Sequence, residues 1–321
     1  MPTRRLAVAA ILSSALAPRT AAAQAWPSRP LMLVHGFGAG GNADSISRVM
    51  ANALTGELGE QVVVEAKPGA GGNLASEQVT RAQPDGHTII LLTGGHAVSA
   101  ALYKTLRFKP VDDFAFASLV ATFPFLIATR AESPLKSIAD VVAAARQEPG
   151  KLTFSSVGFG STQHLTGELF AGTAGVKLTH VPYRGGMQPL SDLISGRIDL
   201  VVDTITVTGA AIRAGTIRGL GVTSPQAWPA LPEVPPVAGT LPGFQVPSWI
   251  GIAAPAATPP AVIAKLNAAI GAALQSDKVK EQLGFLGVKP EGSTPDGMKA
   301  FVAAEIARWQ GVVEKAGLER I

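Results

Sequence analysis

From Leu31 onward, short Val/Ile/Leu-rich runs alternate with amphipathic stretches of helical length through nearly the whole chain, and this alternation restricts the fold more than any other feature. Strands that alternate with helices in sequence pack as βα units on a mostly parallel sheet. An α/β protein is therefore expected. The pattern predicts strands over 31–35, 61–65 and 87–92, with a helix over 44–58. A tight Pro68-Gly69-Ala70-Gly71-Gly72 turn leads into a second helix ending near residue 83. Between residues 114 and 130 two apolar segments meet at 122–124, as suits a chain crossing between lobes. A second βα series follows, with helices over 137–147, 162–173 and 186–195 and strands over 152–155, 178–181, 198–203 and 217–222. Seven prolines then fall between Ser224 and Pro247, too many for a helix or a central strand. An ordered surface excursion is one reading of that segment, and a return crossing to the first lobe is the preferred one. Beyond it come a strand over 249–254, a helix over 259–274 with proline in its first turn and a long closing helix over 295–316. The expected division is 26–122 and 247–321 in one lobe and 123–246 in the other.

The first 25 residues read as a secretory signal. Arg4 and Arg5 precede an apolar run from Leu6 to Leu16, and Ala23-Gln24-Ala25 forms an A-x-A cleavage site before Trp26. The run is too short to span a bilayer, which takes about 20 residues. The paired arginines leave both the general secretory and the twin-arginine routes open. The chain has no Cys, which excludes a lipid anchor on an N-terminal Cys, a disulfide framework and a thiol nucleophile. Cleavage would remove three arginines and no acid, so the basic balance of 27 Lys and Arg against 23 Asp and Glu shrinks to near neutrality. No dense basic patch remains to serve nucleic acid or an anionic membrane.

The richest constellation is His35-Gly36-Phe37-Gly38-Ala39-Gly40-Gly41-Asn42-Ala43-Asp44, between the first strand and the first helix. It admits three readings. Gly36, Gly38 and Gly41 satisfy G-x-G-x-x-G, and Glu65 ends the next strand where a ribose-binding acid would belong, so a NAD(P)-dependent oxidoreductase is one of them. His35-Gly36 after a strand also suggests an oxyanion loop, but no Gly-x-Ser-x-Gly nucleophile elbow exists in the chain. The third reading needs only backbone amides at a helix N-terminus, which favour an anion. Ser155 to His164 forms a second loop of this kind, with Gly158, Phe159, Gly160, Ser161 and Thr162 between a strand and a helix. One such loop in each lobe would grip a small anion from both sides of a cleft. Asp44 and Ser161 serve equally well as helix N-caps.

Other polar residues carry weaker signals. Thr93-Gly94-Gly95-His96 follows the third strand, and ligands of parallel sheets sit beyond the carboxyl ends of strands. Asp203-Thr204 ends a strand and suits a ligand amine or hydroxyl, or equally a helix N-cap. The glycines beside Tyr183 and Arg184 favour a surface turn, with presentation of Tyr183 or Arg184 to an anion as the alternative reading. His164 lies one turn into a helix, and the five His residues lack metal-ligand spacing, so no metal is expected.

Trp26-Pro27-Ser28-Arg29-Pro30, the Phe37 to Asp44 loop, Val64 to Asn73, Ala82 to Gly86, Leu102-Tyr103-Lys104, the Gly158 to Leu165 loop, His180 to Gly185, Pro232 to Pro235 and Ser248-Trp249 together resemble the Bug receptors of the tripartite tricarboxylate transporter system. The resemblance spans the mature chain in order and spacing. It implies a type II periplasmic-binding-protein fold, two α/β lobes joined by two crossings over a ligand cleft. It also implies capture of a small carboxylate by backbone amides and bound water, delivery to membrane permease subunits, a monomer, no cofactor and no catalysis. A ligand-sensing domain for a signalling partner would share every one of these residues. By the same resemblance the ligand-binding residues are Phe37, Ala39, Gly40, Gly41, Asn42 and Asp44 in the first loop. Those in the second are Gly158, Phe159, Gly160, Ser161, Thr162 and His164, with hydroxyls of Ser161 and Thr162 on the carboxylate. Thr93, Gly94, His96, Tyr183, Asp203 and Thr204 complete the expected set. The sequence departs from the family where His35-Gly36-Phe37 replaces Val-Pro-Phe, at Asn42-Ala43, and where Phe159 replaces Asn. An aromatic at 159 is expected to narrow the pocket or stack on a planar acid.

Overall fold

The computed structural model describes residues 26–185, 187–315 and 317–320. The export signal read in residues 1–25 lies outside the described residues. In chain order the first half-sheet is built from β1 (Leu31–His35), α1 (Asn42–Leu58), β2 (Val62–Ala66), α2 (Asn73–Thr80), β3 (Thr88–Thr93) and α3 (Gly94–Leu102). The long β4 (Phe114–Arg130) leads into α4 (Ile138–Gln147), β5 (Thr153–Ser156), α5 (Thr162–Ala174) and β6 (Thr179–Pro182). Then come α6 (Gln188–Ile194), β7 (Leu200–Thr204), α7 (Ile205–Arg213) and β8 (Ile217–Val222). The chain ends with β9 (Pro247–Pro255), α8 (Pro260–Gln275), α9 (Asp277–Phe285), β10 (Lys289–Pro290) and α10 (Pro295–Lys315).

The strand order is β2-β1-β3-β9-β4-β7-β5-β6, with β8 and β10 also paired to β4. β1, β2 and β3 are mutually parallel, as are β5, β6 and β7. β4 belongs to both halves. Its residues from Phe114 to Pro124 pair antiparallel with β9, and those from Phe125 onward pair with β7 and β8. What sequence patterning divides into two apolar segments is one continuous 17-residue strand. Because side chains alternate across a strand, Leu126 and Ala128 enter one apolar cluster of the second half while Phe125 and Ile127 enter the main core.

The proline-rich stretch behaves differently from the expectation of a crossing. Leu231, Val234 and Val237 are buried, and Val222 N–H donates to Pro235 C=O across a bridge. The segment thus lies along the second half-sheet, supplying apolar cover that a proline-broken chain provides without regular structure. The chain leaves it only at Val246, whose N–H donates to Thr223 C=O, and enters β9 beside β4 with Pro247 opposite Pro124.

Three helices escape the sequence pattern. α3 starts on two glycines, α7 is rich in β-branched residues, and α9 is short. Each has modest helix propensity, which tertiary packing overrides. α1 starts two residues earlier than expected, capped by Gly41 in an extended conformation, so Asp44 sits in its first turn.

Candidate functional site

Four strand-to-helix turns meet at one place. The carboxyl ends of β1, β3, β5 and β7 lead into α1, α3, α5 and α7, capped by Gly41, Thr93, Ser161 and Thr204. Thr93 and Ser161 cap with their hydroxyls, which accept from Gly95 and His164 N–H. Residues of all four turns line one small cavity. Gly41, Asn42 and Ala43 come from the first turn, Thr93 from the second, Thr162 and Gln163 from the third, Asp203 and Thr204 from the fourth. Each helix N-terminus carries an effective charge of roughly half an elementary unit. No Lys, Arg or His lines the cavity, and Asp203 is its one ionisable side chain among the described residues. Such a space attracts an anion through oriented peptide dipoles rather than through side-chain cations.

The opposite wall is apolar. Phe123 and Phe125, two residues apart on β4, stand edge to face at 6.0 Å and line the cavity with Phe37, Val157 and Val207. Glycine closes the base, since a Cβ on Gly94 would come within 2.7 Å of Ser248 Oγ and 3.0 Å of Thr162 Oγ1.

The two halves touch around this space. Gly38 N–H donates to Arg184 C=O at 3.0 Å, and Gly38 and Gly185 form a parallel bridge. Thr206 Oγ1 lies 2.6 Å from Asn42 Oδ1 and 2.7 Å from Leu286 O. Ser99 Oγ reaches Gly160 O at 3.4 Å. The cleft is closed.

Of the residues singled out from sequence, Phe37, Gly41, Asn42, Thr93, Thr162, Asp203 and Thr204 line the cavity. Gly94 packs beneath it. The others are engaged elsewhere. Ala39 and Gly40 are exposed on the loop's outer side. The Asp44 carboxylate turns away, accepting from Gly40 N–H at 2.9 Å and from Arg48, with buried His35 3.3 Å distant. Burial alone would raise Asp44, yet the Arg48 and Gly40 bonds hold it below the usual carboxylate range. Burial lowers His35, partly offset by Asp44. His96 is a core residue: it lies between Phe108 and Phe114, bonds Pro110 O at 2.8 Å, and burial lowers it to about 4.

Ser161 spends its hydroxyl on Gly158 O and His164 N–H. His164 faces His180 with ring centroids 4.3 Å apart, and burial lowers the two to about 4 and about 3. His180 Nε2 is 2.6 Å from Ser156 Oγ, which also accepts from Gly158 N–H. Phe159 stands edge-on to both imidazoles and remains half exposed. With Gly158 and Tyr183 it lines an open outer depression rather than the inner cavity, so it does not narrow the enclosed space. The Tyr183 hydroxyl donates to Asp192 at 2.8 Å.

Sequence reasoning missed Phe123, Phe125, Val157, Gln163, Val207 and Ser248. Gln163 adjoins a loop already marked, and Ser248 falls in a recognised motif. The apolar wall carries no signal separating it from core. The G-x-G-x-x-G pattern also finds its reason here. A Cβ on Gly36 would lie 2.4 Å from Gly72 Cα, and one on Gly38 would meet the Gly185 backbone at 3.1 Å. These glycines make room for protein. Glu65 pairs with Lys67 at 2.8 Å.

A closed two-lobed α/β frame around a cation-free cavity of helix N-termini defines a solute-binding protein. Residues 46–318 match the family described as "Tripartite tricarboxylate transporter family receptor", TctC, and the chain belongs to that family. A Pseudomonas sp. (strain P51) protein of the tcbD-tcbE intergenic region is 39% identical over 312 residues, covering 97% of this chain and 93% of the relative. The periplasmic binding protein BugD is 34% identical with a TM-score of 0.88, covering 92% of this chain and 99% of BugD. An R. palustris protein solved with adipate is 37% identical with a TM-score of 0.88, covering 91% and 98%. MatC from Rhodopseudomonas palustris, with bound malate, is 33% identical with a TM-score of 0.86, covering 90% and 100%.

Proposed function

We propose that this chain is an exported, non-catalytic periplasmic receptor whose two lobes close over a small carboxylate and present it to membrane permease subunits. The carrying observation is the convergence of four helix N-termini on a cavity without a cationic side chain. That arrangement suits a carboxylate held by backbone N–H groups, hydroxyls and bound water. In this reading residues 1–25 are removed near Ala25, the lobes 26–122 with 247–321 and 123–246 move about the paired segments at 122–124 and 247–249, and the receptor acts as a monomer. The register at those segments supports a hinge there. No helix among the described residues is long and apolar enough to cross a membrane.

The test is thermal stability of residues 26–321 against dicarboxylates, tricarboxylates, aromatic acids, amino acids and NAD(P). A ligand at about 100 times its dissociation constant adds roughly 2.7 kcal/mol. Stabilisation by one carboxylate class and not by NAD(P) is the expected result. Stabilisation by the dinucleotide alone would overturn the reading.

A further inference from the structure

The cavity's two sides differ: the N-termini of α1 and α3 bring Gly41, Asn42, Ala43 and Thr93 with no ionisable side chain, whereas Asp203 lies between the N-termini of α5 and α7. It closes β7 opposite Leu126 of β4 and is 2% exposed. Its Oδ1 accepts from Thr204 N–H at 2.7 Å and lies 3.4 Å from Thr204 Oγ1, while the Gln163 side chain supplies a further bond. All these donors are neutral, and among the described residues Asp203 joins no ion pair. An ionised carboxylate offers about four acceptor sites, so three donors leave capacity facing the cavity. The neighbouring wall of Phe123, Phe125, Val157 and Val207 has no donor to supply.

We propose that Asp203 determines specificity by accepting a hydroxyl from the ligand, so that the preferred ligand is a hydroxycarboxylate, with its carboxylate toward the N-termini of α1 and α3, rather than a dicarboxylate of the same length. This deepens the receptor reading above and rests on it. A hydroxyl at that end forms a charge-assisted bond with a buried acceptor. A second ionised carboxylate brings like charges together in a water-poor space, a juxtaposition that costs several kcal/mol. Burial raises Asp203 to about 6, which leaves it ionised at neutral pH and above. The bonds from Thr204 and Gln163 fix its orientation, so it cannot swing away to relieve the repulsion.

The test is titration calorimetry of the mature chain at pH about 8, where both partners are ionised. Matched pairs differ only in the distal group: adipate against 6-hydroxyhexanoate, succinate against 4-hydroxybutanoate, terephthalate against 4-(hydroxymethyl)benzoate. In the pair whose size suits the cavity, the hydroxy acid binds at least about tenfold tighter, equivalent to about 1.4 kcal/mol. Asp203→Asn removes the charge and offers an amide donor, so the preference falls to within about threefold or reverses. A wild-type protein that binds the dicarboxylate as tightly as its hydroxy partner overturns the inference while leaving the receptor reading standing. Failure of every carboxylate in the thermal panel overturns both. The wild-type comparison needs no variant, so a folding defect in Asp203→Asn does not shelter the proposal.

Discussion

The two glycine-rich loops share a sequence grammar and differ in what holds them. The first, around Gly36 to Gly41, is anchored by a carboxylate: Asp44 reaches back to Gly40 N–H and is itself braced by Arg48 and His35. The second, around Gly158 to Ser161, is anchored by hydroxyls and packed imidazoles, with Ser156, Ser161, His164 and His180 in contact and the Glu168 carboxylate 3.9 Å from His164 rather than on a loop N–H. A strand, a run of glycines and a helix specify where backbone amides gather. They do not specify how the loop is kept rigid, and the two solutions should fail under different insults.

The largest contrast lies in the glycines. Gly40 and Gly160 both have positive φ, 74° and 73°. A Cβ on Gly40 meets only the flexible Met187 side chain at 3.4 Å, whereas one on Gly160 falls 2.6 Å from the Tyr103 ring of the other lobe. Gly40→Ala should therefore cost only the left-handed penalty of about 1–2 kcal/mol. Gly160→Ala adds an overpacking cost of about 1–3 kcal/mol at the surface that closes. We expect ligand affinity to fall by a hundredfold or more in Gly160→Ala and by less than tenfold in Gly40→Ala, measured by calorimetry on the two variants side by side. Equal losses would mean that Tyr103 yields easily and closure is not what Gly160 serves.

Acid should separate the loops next. His164 and His180 sit at about 4 and about 3 when folded, below their ordinary value of 6.5, through burial and, for His180, the neighbouring His164. A base with a depressed folded pKa stabilises the fold fully above its unfolded pKa and loses that contribution as pH falls through the folded one. The second loop should therefore weaken progressively as pH falls from about 6.5 toward 3. His35 beneath the first loop is also lowered, but Asp44 opposes that shift, and Asp44 itself, held below 3.8, keeps its contribution until more acid conditions. Hydrogen exchange near pH 5 should thus rise at Gly158 and Gly160 before it rises at Gly38 and Gly40. The reverse order would place the weak point in the carboxylate-held loop.

Asp44→Ala sharpens the same comparison from the other side. It frees Gly40 N–H and leaves buried His35 and the Arg48 guanidinium without their partner, a loss of about 2 kcal/mol in unfolding free energy. Hydrogen exchange should increase in the first loop alone. Because Asp44 does not line the cavity, its effect on binding should track loop order, and a variant that stays rigid yet loses all affinity would show that Asp44 touches ligand after all.

Much of this was open to a reader of the sequence, for reasons that differ by region. β1 and β8 follow from short apolar runs bounded by turn residues, since most of their residues are buried, and the long closing helix follows from periodicity, burying Met298, Val302, Trp309 and Val313 on one face. The turns at Gly41 and Ser161 follow from glycine and capping residues. α7 was illegible because Ile205-Thr206-Val207-Thr208 is a strand-like string held helical by packing on β4, β7 and β8. The proline-rich stretch was read as a crossing because proline excludes regular structure without saying where the irregular chain goes. In the site, residues at strand ends were visible, but direction was not: Asp44 and Asn42 are two apart, and only the three-dimensional turn sends one inward and the other away. The apolar wall at Phe123 and Phe125 had no local mark, since a cavity-lining phenylalanine and a core phenylalanine obey the same pattern until the space beside them is known.

The smallest expected effect concerns the polar contact joining the first loop to the opposite lobe. Thr206 Oγ1 is within hydrogen-bond distance of both Asn42 Oδ1 and Leu286 O, and Asn42 stands where the sequence departs from the family pattern. A neutral hydrogen bond contributes about 1 kcal/mol net, and under the proposed lobe closure this one forms only when the cleft shuts. Thr206→Val should therefore weaken affinity by about threefold to tenfold, chiefly through faster dissociation, since the open form that first meets the ligand lacks the contact. Asn42→Ala should cost no more than this, because the Thr206 hydroxyl keeps Leu286 O as an acceptor. The double variant should cost no more than Thr206→Val alone, because that change already deletes the contact the two residues share. Additive losses would assign Asn42 a separate role toward ligand inside the cavity it lines, making the first loop a source of side-chain as well as backbone recognition.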